Sequence, residues 1–146
     1  MGMMSLFRDE KDALMYLSQL VRLADADGVL APEERLFVET VATGYLKRDL
    51  TVSYDEVLKL ISGFTDVETS EWFADLSSRP IVARNLIKDL VSLGYTDGRF
   101  CDAEFKLINE IAARIGIPES RVQMIGKAVA GALVAQENLN KSIFEE

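Results

Sequence analysis

Asp25, Asp27 and Glu34 are the side chains whose types and spacing could do chemistry together. Three carboxylates around a glycine turn suit a hard divalent cation, which takes several oxygen ligands. Against a twelve-position helix-loop-helix calcium loop, Asp25 stands at the third position, Asp27 at the fifth, Gly28 at the sixth, Leu30 at the apolar eighth and Glu34 at the twelfth. Leu23 occupies the first position, where an oxygen is needed. The expectation is therefore weak binding of a cation such as calcium, with backbone oxygens and water completing the shell.

The motif recurs 70 positions on, as Asp27-Gly28 becomes Asp97-Gly98 and Glu34 becomes Glu104. Leu20, Val21 and Leu23 return as Leu90, Val91 and Leu93, and Leu30 as Phe100, which points to an internal duplication of a helix-turn-helix unit. Leu93 and Tyr95 fill the first and third ligand positions of this copy. An equal second site is not expected. The simpler reading of both copies is a structural brace. Gly28 and Gly98 would supply a positive φ, Asp27 and Asp97 would accept local backbone N–H groups, and Glu34 and Glu104 would sit near the third helical position, against the positive helix end.

Other chemistries lack their parts. The chain has no histidine and a single cysteine, Cys101, so a histidine-assisted hydrolase, a histidine-containing zinc site and a multi-cysteine cluster are excluded. Cys101 reads as an ordinary thiol in a reducing compartment. Glu33 and Glu34 are consecutive on a helix and diverge, which argues against paired acid-base work. The glycines assemble no phosphate loop. An enzyme is not the expected answer. Twenty-four acidic against sixteen basic residues give a net charge of −8, which repels phosphate backbones and disfavours nucleic acid and anionic membranes. No secretory signal and no long apolar run is visible, so a soluble cytoplasmic protein without direct membrane insertion is expected.

Seven helices must position these turns. Apolar residues at three-and-four spacing place the first helix over about 9–24, with Ala13, Leu14, Leu17, Leu20 and Val21 inward. Pro32, followed by Glu33 and Glu34, starts the second, with Leu36, Phe37, Val41 and Tyr45 inward. Ser53 and Glu56 form a capping box for the third, which buries Val57, Leu58 and Ile61. Thr69 or Ser70 caps a short fourth helix through Trp72, Phe73 and Leu76. The two aromatics read as core or as partner anchors. The fifth runs over 81–93 with Ile81, Val82, Leu86, Ile87 and Leu90 inward. The sixth spans 102–115 with Phe105, Ile108 and Ile111 inward, and Gly116 caps it. A seventh from Pro118, with Val122, Ile125, Val129, Leu133 and Val134 among many small residues, is expected at the centre. No stretch alternates long enough to demand a strand.

The repeated turn, with Asp-Gly, an apolar residue two further on and a glutamate four after that, resembles the TerB family of tellurite-resistance-like proteins. The likeness covers about 13–133 and is strongest over 20–42 and 90–117. It implies an all-α, internally duplicated helical bundle: one domain over 9–135, with pseudo-repeats 13–47 and 83–117, a helical bridge 53–76 and a tail 136–146. The same fold occurs as the N-terminal part of membrane-anchored DnaJ-like co-chaperones, but this chain has no histidine for a J-domain signature. The resemblance carries over Asp25, Asp27 and Glu34 in the first copy and Asp97 and Glu104 in the second, and implies a link to tellurite or general stress. The expected function is a non-enzymatic scaffold or interaction module, with a weak divalent-cation-binding protein as the alternative. A homodimer is expected through the small-residue face of Ala128 to Ala135 and the tail residues Ile143 and Phe144; a separate protein partner is the other possibility.

Overall fold

The computed structural model describes residues 6–26, 28–96 and 102–144. Asp27, Asp97, Gly98, Phe100 and Cys101 lie outside them, as does the side chain of Phe144. Among the described residues the chain is all-helical: α1 (Glu10–Ala24), α2 (Pro32–Tyr45), α3 (Tyr54–Ile61), α4 (Asp66–Leu76), α5 (Pro80–Tyr95), α6 (Asp102–Arg114) and α7 (Glu119–Phe144).

Local chemistry sets the helix ends. The Asp9 carboxylate accepts the Asp12 N–H at 2.8 Å and starts α1. Pro32 and Pro80 occupy first-turn positions of α2 and α5, where a missing N–H costs nothing. Ser53 Oγ accepts the Glu56 N–H at 3.1 Å at the head of α3. The cap of α4 is Thr65, not Thr69 or Ser70. Thr65 Oγ1 accepts the Glu68 N–H at 3.1 Å, and Glu68 Oε1 accepts the Thr65 N–H at 3.2 Å, a complete capping box four residues earlier than expected. Gly116, with φ +78°, ends α6 as the periodic pattern indicated. Its N–H reaches the Ala113 carbonyl at 3.3 Å, and the Ile117 N–H reaches Ala112 at 2.8 Å, closing a Schellman turn.

The core is built around α1 and α5. α1 packs against α2, α3, α4, α5 and α6, and α5 against α1, α2, α4, α6 and α7. Tyr16, Leu17, Leu20 and Leu23 from α1 meet Leu86, Ile87, Leu90 and Leu93 from α5, all fully buried. Each such side chain contributes roughly 1.5–3 kcal/mol of transfer free energy. The nine buried positions of α5 run from Val82 to Gly94, and 70 residues earlier each falls on a buried position of α1. Trp72 and Phe73 are core residues, packed edge to face at 5.4 Å.

Several expected inward residues face outward instead. Leu36 is exposed because α2 turns Glu34, Val38 and Ala42 to the core, a row at four-residue spacing; Leu36 lies two positions from Val38, on the opposite side. Leu58, Ile81, Phe105, Leu133 and Val134 are likewise exposed. The expectation of a central α7 is also corrected. Only its beginning is buried, at Val122, and the helix outruns the body it packs on: 26 residues against 16 in α5. Residues 136–144 form the end of that helix.

Two polar clusters tie the core. In the first, Asp12 takes a two-pronged ion pair from Arg79, with Nη2 to Oδ2 at 2.6 Å and Nη1 to Oδ1 at 3.0 Å. Trp72 Nε1 donates to Asp12 Oδ1 at 2.7 Å, and the Arg8 N–H to Oδ2 at 3.0 Å. The bonds join α1, α4 and the start of α5.

Candidate functional site

The first acidic turn is held by its own backbone. The Ala26 N–H bonds to the Leu23 carbonyl and the Gly28 N–H to the Asp25 carbonyl, both at 3.0 Å, and Gly28 has φ +78°. That left-handed value is one a β-carbon disfavours. Glu34 is buried, with Oε1 accepting the Ala31 N–H at 3.1 Å, the capping half of the brace reading. Asp25 is exposed. Tyr54 stands close enough to feel both carboxylates: burial first, then the negative charges of Asp25 and Glu34, push its hydroxyl up to about 12. Among the described residues its buried oxygen has no hydrogen-bond partner. Among the described residues no group of three or more acidic or cysteine side chains is gathered closely enough to hold a metal, and Asp27 is not one of those residues. Asp25 and Glu34 both act electrostatically on Tyr54, and two carboxylates fall short of the six or more oxygens a hard cation takes. In the second copy Glu104 is buried, as Glu34 is.

A broad concave feature lies elsewhere. A groove of about 880 Å³ runs between α2, α5 and α7. Phe37, Val41, Ile81, Ile125, Val129 and Leu133 give it apolar walls, and Arg84, Lys88 and Arg121 stand along it. Three cations beside one channel contrast with the chain's charge of −8.

The second polar cluster forms the floor of this groove. Tyr16 and Tyr45 hydroxyls both donate to Asp89 Oδ2 at 2.6 Å, and Asn85 Nδ2 bridges the two phenol oxygens at 2.8 and 3.0 Å. Lys88 Nζ lies 3.5 Å from Asp89 Oδ1. Phe7 covers both tyrosine rings edge to face, at 4.9 and 5.0 Å. Burial, then hydrogen bonding to Asp89, pushes Tyr45 up to about 12; burial, then the Asp89 charge, holds Tyr16 well above its ordinary value. Asp89 is occupied by its own donors. The arrangement fixes α1, α2 and α5 against one another and makes a rigid floor.

A solved structure of a tellurite resistance protein from Nostoc punctiforme matches this chain with a TM-score of 0.65, over 93% of this chain and 82% of that one, at 18% identity. This chain has the TerB-like fold. At that identity the likeness concerns architecture. No protein-family model matches the sequence, and no curated protein matches it. Among the described residues no helix is long and apolar enough to cross a membrane.

The periodic reading of the fifth helix passed over Asp89. The signal was present, because Asp89 interrupts the run between Ile87 and Leu90, and 70 residues earlier Gln19 interrupts the first helix at the same place. Both are buried. At Asp89 the polar residue gathers a hydrogen-bonded cluster, whereas Gln19 donates to the neighbouring Ser18 Oγ at 3.2 Å.

Proposed function

We propose that this chain is a non-enzymatic interaction module whose working surface is the groove between α2, α5 and α7. One observation carries the reading: a helix-sized apolar channel stays open beside a closed core, on a floor pinned by the Asp89 cluster. A preformed channel loses little order when a helix docks, and side chains at three-and-four spacing suit it. The similar Nostoc protein is called a tellurite resistance protein, and a role in that stress is carried to this chain as part of the proposal. The test is a photoreactive side chain at Ile81, beside the groove, against one at Val67, an exposed apolar residue that does not line it. Irradiation in cells should give discrete adducts from Ile81 only, identified by mass spectrometry and reproduced with purified components. Equal or absent labelling at both positions would rule the groove out.

The alternative is a weak divalent-cation site at Asp25, Asp27 and Glu34. It is favoured by the shared influence of Asp25 and Glu34 on the buried, unpartnered Tyr54 hydroxyl. Calorimetric titration of metal-free protein with calcium and manganese should show at most one site, with an affinity of about 0.1–1 mM, near the weak end for calcium loops. Asp27→Asn should weaken it about tenfold or more while helical content is kept. No heat at millimolar ion leaves the turn as a brace only.

A further inference from the structure

We propose that the groove receives the far end of α7 from a second copy of this chain, with the two α7 helices antiparallel across a two-fold axis near Val134. The proposal rests on the groove being a docking surface and names its occupant. α7 continues well past the body, and residues 131–143 are all exposed. Past Leu133, the last residue that lines the groove, the ten exposed residues 134–143 extend about 15 Å at 1.5 Å per residue, about three helical turns.

The face of α7 that lines the groove is the face that continues beyond it. Ile125, Val129 and Ala132 line the channel. At about 100° per residue, Gln136, Leu139 and Ile143 fall within roughly 40° of Ile125 on the helix wheel. Leu139 is 51% exposed and Ile143 61%. The pattern is also self-complementary. Around position 134, Ile125 mirrors Ile143, Val129 mirrors Leu139 and Ala132 mirrors Gln136, so antiparallel pairing sets apolar against apolar twice over. Val134 points to the opposite side. Ala128 and Ala132 keep the groove wall low enough for a second helix to approach.

A two-fold contact is reciprocal, so each copy gives its α7 end and receives the other's. A specific dimer buries about 800 Å² per partner, and a reciprocal contact counts both the groove and the α7 end of each copy toward it. A different helical partner would fill the groove and leave Leu139 and Ile143 in water, whereas a second copy covers both surfaces together.

Sedimentation equilibrium of the full chain, over about 1–200 µM, tests this against the micromolar affinity expected for such an interface. The wild type should reach the mass of two chains. Leu139→Asp with Ile143→Asp should weaken association roughly 100-fold or more. Leu139→Gln with Ile143→Gln, which keeps helix propensity, should act in the same direction. Val134→Asp, on the far side, should leave the dimer intact. A photoreactive side chain at Leu139 should label Phe37, Ile125 or Val129 of the second copy. Single-chain mass throughout, with Ile81 adducts to another protein, overturns the second copy and keeps the groove. Single-chain mass with no Ile81 adduct removes both. A dimer that survives the Leu139 and Ile143 substitutions, or breaks with Val134→Asp, places the contact on another face and overturns the proposal.

Discussion

Asp12→Ala is expected to cost about 2–4 kcal/mol of unfolding free energy, because it removes the main partner of a half-buried guanidinium. Asp12 and Arg79 side chains are 7% and 12% exposed, so neither charge is screened well by water. Their attraction has to offset the desolvation of both. Two-pronged geometry, the Trp72 donor at 2.7 Å and the Arg8 N–H at 3.0 Å satisfy the carboxylate fully. Removing the carboxylate leaves Arg79 with its 3.4 Å contact to Asp75, the weaker of its ion pairs, and a 3.5 Å bond to the Leu6 carbonyl. Trp72 Nε1 loses its acceptor as well. Replacing both charges, Asp12→Leu with Arg79→Met, should recover most of the loss, since it removes both desolvation penalties. Urea unfolding of the three proteins checks this; an Asp12→Ala cost under about 1 kcal/mol would reduce the cluster to an ordinary surface pair.

The same cluster sets an acid limb. Burial alone would push the Asp12 carboxyl up, but hydrogen bonds from Arg79, Trp72 and the Arg8 backbone outweigh it and hold the group below its ordinary value. A depressed carboxylate contributes stability that is fully present above its unfolded value, about 3.9, and is lost as pH falls through the lower folded one. Asp12→Ala should therefore show a shallower loss of stability below about pH 4 than the wild type.

The helix pattern was legible because each helix carries its own signal. Asp9, Pro32, Ser53 and Gly116 mark ends through short-range backbone chemistry that a sequence displays directly. The Thr65 cap was missed: Thr65 and Glu68 have capping-box spacing, but Thr69 and Ser70 compete with it nearby. Which way each helix faces was harder. α2 is rotated so that Glu34 goes inward, where it caps Ala31, and a buried glutamate runs against hydrophobic patterning. α7 misled for another reason: a helix rich in small residues can be packed on every side, but its main packing partners are α5 and α6, and the rest of it faces outward. The groove was not legible, because a cavity arises between elements distant in sequence, such as Phe37 and Val129. Asp12 and Asp89 were passed over for the same cause. Their partners lie 67 and 73 residues away, at Arg79 and Tyr16.

Asp89→Ala should destabilise the protein by about 2–4 kcal/mol, as the buried Tyr16 and half-buried Tyr45 phenols lose their shared acceptor. Asp89 is 5% exposed and Tyr16 fully buried, so water cannot easily replace the carboxylate. Asp89→Asn keeps an oxygen of similar shape but not its charge, and should cost less, about 1–2 kcal/mol, because neutral acceptors hold hydroxyls about half as strongly. Tyr16→Phe combined with Asp89→Ala should cost less than the sum of the two alone, since each single change leaves the other's group unsatisfied, with a coupling of about 1–2 kcal/mol. The alkaline side gives a second readout. A phenol whose folded pKa lies above its unfolded value, about 10, contributes stability that is complete below 10 and is lost as pH rises through the folded value. For Tyr45 that value is about 12, and Tyr16 is also raised, so wild-type stability should fall from about pH 10 upward as the tyrosines ionise on unfolding. Asp89→Ala removes the carboxylate that helps raise both phenols, and its alkaline loss should be less steep. Additive single and double variants, or identical alkaline limbs in wild type and Asp89→Ala, would show that the cluster fills space without fixing α1, α2 and α5. In that case the rigid floor assigned to the groove would lose its physical basis.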